Sequence, residues 1–479
     1  MAQEKAHELT ALGETLAPLR CRGDPFLEFG ELVTDRLHTL IIQAYSWYKR
    51  HTNMAESFII KGLAGERALA GDIAVGGAKN EALKLMAAGV LCETSLALTN
   101  VPAIEDVERM GEIIEKLGGT VSFDGDSCTI NTTGMRGSDM DRDASRKLRS
   151  SVVLTGPLLA RFGSVTFPHP GGDVIGKRPI DFFTEGFEKM GATVSVEADH
   201  YRIMAPNGLA GADIFFRWVS VTATETLMMA AVLAKGTTIL RNVAMEPEGV
   251  DLAAFLVSAG ASISGIGTPT LVINGGEMLR PQKPHRVIPD RIETGSFLIL
   301  GALAATKLRI TNCEPEHVRM LIELLSHSGV RISATGDTLI VENGPADGRE
   351  AMELKTHEYP GFPTDLQAPI VVYLTQARGE SRVFETIFEG RLSYTENLVR
   401  MGANITLWNP HQASVYGPTP LHGATLESPD IRAGLAFLIA ALIAKGESKL
   451  ENVYHIDRGY ARIEERLAKL GAHIQRTEA

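Results

Sequence analysis

The sequence predicts an α/β protein of six like units of about 70 residues, with helices inside and sheets outside. The units divide into two domains of three, each an α/β barrel turned inside out. Three observations carry this reading. One short phrase recurs six times, as Leu117-Gly118-Gly119-Thr120-Val121, Met190-Gly191-Ala192-Thr193-Val194, Ala259-Gly260-Ala261-Ser262-Ile263, Ser328-Gly329-Val330-Arg331-Ile332, Met401-Gly402-Ala403-Asn404-Ile405 and Leu470-Gly471-Ala472-His473-Ile474. Its second-position glycines are spaced 73, 69, 69, 73 and 69 residues apart, a regularity that marks repeats. An almost wholly apolar segment also recurs, at 82–91, 151–160, 226–233, 296–304, 368–374 and 433–443. A helix apolar on all sides is buried. Finally, six units exceed one core, because single cores stop growing near ~250–300 residues.

Each unit reads in the same order. The buried helix comes first, then a break such as Ala234-Lys235-Gly236 or Ala444-Lys445-Gly446, then a β-rich run such as 238–240 or 449–450. A loop leads to an amphipathic helix, exemplified by 105–117 and 460–470, with apolar residues at helical spacing. The glycine takes the left-handed position after the helix, and a strand pair follows.

Residues 1–53 stand outside the repeat and carry no charged-then-apolar leader. The stretch 31–49 predicts one amphipathic helix, with Leu32, Leu37, Leu40, Ile41 and Tyr45 on a face. Met54 directly precedes the first strand, Phe58-Ile59-Ile60. The extension reads as non-native upstream sequence or a dispensable tail ahead of a partner-docking helix.

Composition narrows the function classes. Apolar residues are 44% and charged residues 22% of the chain, close to globular averages. The net charge of −11 argues against general nucleic-acid or anionic-membrane binding, so any anion site is a local basic cluster. The four cysteines, Cys21, Cys92, Cys128 and Cys313, lack metal-ligand spacing, and a sparse set in a long chain fits a reducing, cytoplasmic compartment. His169, His317 and His455 are isolated, so no metal site or cofactor is expected. No apolar run approaches the ~20 residues that span a bilayer.

Chemistry is expected where the units differ. The starts of the buried helices carry Lys79 and Asn80, Arg149, Ser220 and Thr222, Asp290 and Arg291, Thr364 and Asp365, and Asp430 and Arg432. Helix N-termini favour anions, and Lys79, Arg149, Arg178, Arg391, Arg432 and Arg458 add positive charge. The segment 168–179 breaks the pattern with three prolines, three glycines, Asp173, Lys177 and Arg178, the composition of an irregular lid.

These residues resemble the UDP-N-acetylglucosamine 1-carboxyvinyltransferases, of the enolpyruvyl transferase family. The resemblance covers residues 54–479, through Gly76-Gly77-Ala78-Lys79-Asn80, the loop 170–179, Pro289-Asp290-Arg291-Ile292-Glu293-Thr294-Gly295, Phe362-Pro363-Thr364-Asp365-Leu366-Gln367, Phe388-Glu389-Gly390-Arg391, Pro429-Asp430-Ile431-Arg432-Ala433 and His455-Ile456-Asp457-Arg458-Gly459-Tyr460. It implies the two-domain inside-out α/β barrel, one domain from 54–78 plus 290–479 and the other from 79–289 carrying the catalytic loop. It implies transfer of the enolpyruvyl group of phosphoenolpyruvate to the 3′-hydroxyl of UDP-N-acetylglucosamine, opening peptidoglycan precursor synthesis in the cytoplasm.

The resemblance also implies roles. Asp173 corresponds to the general acid, at a position where many relatives have Cys and others Asp. The family cysteine is alkylated by fosfomycin, and a carboxylate is a weaker nucleophile than a thiolate, so resistance is expected. Asp365 corresponds to the base or proton relay. Lys79, Arg178 and Arg458 grip the phosphate, and Arg149, Arg391 and Arg432 complete the anionic pocket. Asn80, Thr364 and Ile387 lie around the amino sugar, and Arg149 also belongs to the sugar-nucleotide set. Arg178, Pro179, Ile180, Asp181 and Phe182 form the uridine site, with Ser220, Val221 and Thr222 near the diphosphate. Three positions depart from the family: Phe183 replaces a common His, Trp218 a Lys or Pro, and Thr222 a usual Gly. Arg217 is the candidate replacement cation. These departures keep open another uridine nucleotide as acceptor. A catalytically inactive sugar-nucleotide-binding paralogue is the remaining alternative.

Overall fold

The amphipathic helices end where the repeated glycines stand. In the computed structural model, which describes residues 56–171, 175–176, 178–342 and 348–478, helices Glu105–Lys116, Asp181–Lys189, Pro247–Ser258, Arg319–His327, Thr395–Arg400 and Ile463–Ala468 each run into one of the six. Gly118, Gly191, Gly260, Gly329, Gly402 and Gly471 have φ of 92°, 90°, 115°, 90°, 106° and 101°. A Cβ is strained in that region, which is why glycine recurs. Strands Thr120–Asp124, Thr193–Val196, Ser262–Ser264, Arg331–Thr335, Asn404–Asn409 and His473–Glu478 follow. The last amphipathic helix starts three residues later than the 460–470 predicted. Arg462 takes a left-handed conformation (φ 42°) and breaks the path from the short helix Tyr454–Asp457.

The apolar segments are helices Lys79–Ala88, Thr155–Phe162, Val221–Ala231, Arg291–Ala304, Gln367–Leu374 and Ile431–Ile443. Every residue of the last three is buried. The 151–160 segment is not one α-helix. A 3₁₀ stretch, Arg149–Leu154, precedes it, and Pro157 occupies the first turn of the α-helix, where its missing N–H costs nothing. Helices Thr155–Phe162 and Val221–Ala231 meet backbone to backbone, since a Cβ on Gly156 would lie 2.2 Å from the Thr226 carbonyl oxygen.

Six open sheets flank these helices, five of four strands and one of three, and none closes into a barrel among the described residues. The strand Glu56–Lys61 pairs antiparallel with Glu447–Glu451, placing Phe58 opposite Leu450. The strand Leu69–Ala74 runs parallel to Ala305–Thr311, and His285–Arg286 runs parallel to Leu96–Thr99.

Residues Ser57–Thr477 form one unit, in which buried apolar side chains segregate into two cores. One spans 78–287; the other combines 58–75 with 292–472. The chain crosses between them twice, and the crossings are bonded to each other. Ala78 N donates to Ile288 O (2.7 Å) and Asp290 N to Gly76 O (2.9 Å). Gly77 is required here, because a Cβ would sit 1.7 Å from the Asn100 carbonyl oxygen. The 1–53 extension, with its predicted 31–49 helix, lies outside the described residues.

Candidate active site

The crossings bring two charged groups together. Lys79 opens the helix Lys79–Ala88, and its Nζ lies 2.6 Å from Asp106 Oδ2. Arg458 Nε reaches the other oxygen of Asp106 at 2.9 Å, from a residue 352 positions away. All three are buried. Burial pushes the Lys79 ammonium down, with Asp106 as counterweight and Arg458 and Arg432 pushing further down. Burial alone would raise Asp106, but Lys79 and Arg458 more than offset it and hold the carboxyl below its ordinary range. Sequence reasoning missed Asp106. It is one of three acids in the first turn of an amphipathic helix, a position that ordinarily answers the helix dipole.

The second group surrounds Asp365. Arg391 Nη2 donates to Asp365 Oδ1 at 2.9 Å, while Arg432 donates to Oδ2 through Nε (3.0 Å) and Nη2 (2.9 Å). Arg391 Nη1 also holds Thr364 Oγ1 (2.8 Å), whose hydroxyl donates to Glu385 Oε2 (2.9 Å). Arg432 Nη1 reaches the Tyr460 hydroxyl at 3.0 Å. Glu385 Oε1 accepts from the backbone N–H groups of Ile387 (2.9 Å) and Phe388 (3.1 Å), fixing the segment that follows it. Burial would raise the Asp365 carboxyl, but Arg432 and Arg391 prevail and hold it far below the ordinary range. Its pairing stabilises the fold fully above the ordinary value of 3.8 and is lost only on strong acidification.

The helix starts contribute less bare backbone than expected. Asp290 accepts from Ile292 N (2.8 Å) and Glu293 N (3.0 Å), and Asp430 from Arg432 N (2.8 Å) and Ala433 N (3.0 Å). Ser220 Oγ accepts from Ala223 N at 3.3 Å. These side chains are helix caps first. Arg291 pairs with buried Glu248 (2.9 and 3.1 Å).

The loop residues gather beside the Asp365 group. Arg149 donates to the carbonyls of Pro170, Gly171 and Arg178. Gly390 N donates to Ile175 O at 3.1 Å. The guanidinium groups of Arg178 and Arg391 lie 5.9 and 5.3 Å from the ring of Phe388. Asn80, Ile387 and Asp181 are half-buried, Pro179 is exposed, and Ile180 and Phe182 are buried. Val221 and Thr222 are half-buried in the first turn of their helix. Asp173 lies outside the described residues.

The departing residues fall in different surroundings. Phe183 is buried and packs against Phe187, so it belongs to the core. Trp218 is 55% exposed and meets the Phe182 ring edge-on at 4.8 Å. Arg217 is committed to Asp181 (2.9 Å) and Glu185 (3.1 Å), with its guanidinium near the rings of Phe182 and Trp218.

The arrangement can hold an anion carrying two acidic groups and keep an ionised carboxylate beside it. The chain as a whole is similar to known proteins. Residues 63–467 match the family model of EPSP synthase (3-phosphoshikimate 1-carboxyvinyltransferase). The UDP-N-acetylglucosamine 1-carboxyvinyltransferase of Solibacter usitatus is 42% identical over 87% of this chain and 99% of its own length. That of Koribacter versatilis is 43% identical over 88% and 96%. The crystal structure of the enolpyruvyl transferase NikO from Streptomyces tendae superposes with a TM-score of 0.80 at 25% identity, covering 89% of this chain and all of that one. An EPSP synthase from Acinetobacter baumannii shares the fold at a TM-score of 0.66 and 17% identity, covering 88% of this chain and 100% of its own. The chain is a member of the enolpyruvyl transferase family, in the group of the UDP-N-acetylglucosamine 1-carboxyvinyltransferases.

Proposed function

We propose that this enzyme transfers the enolpyruvyl group of phosphoenolpyruvate to the 3′-hydroxyl of UDP-N-acetylglucosamine and releases phosphate. The observation that carries it is the paired cation groups, Lys79–Asp106–Arg458 and Arg391–Asp365–Arg432, beside the crossings. Phosphoenolpyruvate carries a phosphate and a carboxylate, and these cations suit both ends. In our reading Lys79, Arg178 and Arg458 take the phosphate, and Arg149, Arg391 and Arg432 complete the anionic pocket. Asn80, Thr364 and Ile387 take the amino sugar. Arg178, Pro179, Ile180, Asp181 and Phe182 take uridine, and Ser220, Val221 and Thr222 the diphosphate.

The chemistry is an addition followed by an elimination. The sugar oxygen bonds to C2 of phosphoenolpyruvate as Asp173 gives a proton to the C3 methylene. The hydroxyl proton leaves toward Asp365. The tetrahedral intermediate then loses phosphate from C2 and a proton from C3, restoring the double bond. A carboxylate held as low as Asp365 is a poor resting base. Its part is to orient the hydroxyl and relay the proton onward. It stays ionised from pH 5 to 9, so no limb of the kcat/KM profile in that window is its own. A limb there that moves in Asp365→Glu contradicts this.

The central test measures phosphate release from phosphoenolpyruvate with and without UDP-N-acetylglucosamine, in wild type and Asp173→Asn. Release should require the sugar nucleotide and fall about 10²–10⁴-fold in the variant. Release only with another uridine nucleotide would replace the acceptor. No release with any acceptor would leave the inactive paralogue. Incubation with fosfomycin should leave the rate intact; time-dependent inactivation with a stoichiometric adduct on Asp173 refutes that expectation.

The architecture belongs to this reading. The six helix–glycine–strand elements and the two cores support six repeats in two inside-out barrels, one from 54–78 plus 290–479 and one from 79–289. Substrate ligands from both support closure on binding. A scattering profile unchanged by saturating sugar nucleotide counts against it. No helix of the described residues is long and apolar enough to cross a membrane. A cytoplasmic location fits the substrates.

A further inference from the structure

Glu81, Asp251 and His285 carry no ligand spacing in sequence, yet the fold collects them. Glu81 lies in the first turn of the helix Lys79–Ala88, Asp251 on the helix Pro247–Ser258, and His285 on the short strand leading to the second crossing. Each offers one donor atom, and the three donors lie within 4.8 Å of one another. His285 Nε2 is 2.6 Å from Asp251 Oδ2 and 3.7 Å from Glu81 Oε1. The Phe255 ring packs edge-on against the imidazole at 5.2 Å and steadies it.

The Glu81 side chain is 0% exposed. Its Oε2 accepts from Ile288 N at 2.7 Å, but its Oε1, which faces the imidazole, has no hydrogen-bond partner. A fully buried carboxylate oxygen left without a partner requires an explanation. Neither Glu81 nor Asp251 has a Lys or Arg ion-pair partner among the described residues. Two carboxyl groups therefore share one imidazole; burial would lower it, but Asp251 and Glu81 outweigh that and push it up to about 9.

We propose that Glu81, Asp251 and His285 form a zinc site that fastens the two chain crossings together. One imidazole nitrogen and two carboxylate oxygens match the ligand types zinc accepts, with water as the fourth ligand. Ligands at ~2.0–2.1 Å in a tetrahedron stand about 3.3 Å apart, between the two separations observed here. The site is positioning rather than catalytic. The ion would tie the first turn that carries Lys79 and Asn80 to the segment whose Asp290 accepts from Lys79 N (3.2 Å).

The test uses the full chain, stripped with chelator, dialysed against ZnCl₂ and then against metal-free buffer. Wild type should retain about one zinc per chain, and saturating ZnCl₂ should raise its unfolding midpoint by about 2 °C or more. MgCl₂ should do neither. His285→Gln and Asp251→Asn should each weaken zinc binding at least about tenfold and lose the shift. Circular dichroism shows which variants fold, and Glu81→Gln serves as a third if either does not. Wild type retaining no zinc overturns the proposal, as does equal retention in folded variants.

Discussion

Replacing Asp106 by asparagine is expected to lower kcat/KM for phosphoenolpyruvate by at least about 10²-fold, roughly 2.7 kcal/mol. The side chain keeps its shape, but Lys79 and Arg458 lose their shared counter-charge. Lys79 is already pushed down by burial, and by Arg458 and Arg432; Asp106 is what holds its proton. Without it nothing offsets that push, and the two neighbouring cations are left without their shared counter-charge. Breaking a buried ionic group of this kind costs about 3–5 kcal/mol of stability. Inorganic phosphate should therefore raise the unfolding midpoint of Asp106→Asn more than that of wild type, because the anion stands in for the missing carboxylate. Wild-type turnover together with an unchanged midpoint would sink the argument.

Asp365→Asn is expected to reduce kcat by about 10²–10⁴-fold. Both carboxylate oxygens are engaged, one by Arg391 and one by Arg432, so the charge neutralises two guanidinium groups. Asparagine leaves those groups facing a weak acceptor and removes the proposed proton relay. The loss should fall mainly on kcat, because the cations proposed to hold phosphoenolpyruvate remain. A rise in KM alone, with kcat unchanged, would make Asp365 a binding residue only. Asp365→Ala should also lose stability, since it strands both arginines.

The two predictions differ in how readable their residues were. Asp365 stood in a motif at the start of an apolar helix, where a charged residue has no packing reason to be. Asp106 looked like any acid in the first turn of a surface helix, and only the tertiary fold turns it inward to Arg458. The repeated glycines were legible because a left-handed backbone position admits few residues, and all six adopt it. The same logic missed Arg462, whose left-handed conformation nothing in its side chain announces. The helix starts offer less bare backbone than expected, because Asp290, Asp430 and Ser220 spend their oxygens capping their own helices. Likewise Phe183, flagged as a change at the nucleotide, is a core residue.

The pairing of the strand Glu56–Lys61 with Glu447–Glu451 has a consequence for synthesis on the ribosome. The core spanning 78–287 is one continuous stretch, so it can assemble while the rest of the chain is still being made. The other core cannot. Its opening strand emerges first and must wait, apolar and unpaired, until almost the last residue has been added. Contacts so distant in sequence form slowly. The newborn protein therefore carries an exposed strand through most of its translation, and that strand is where a chaperone has most to protect.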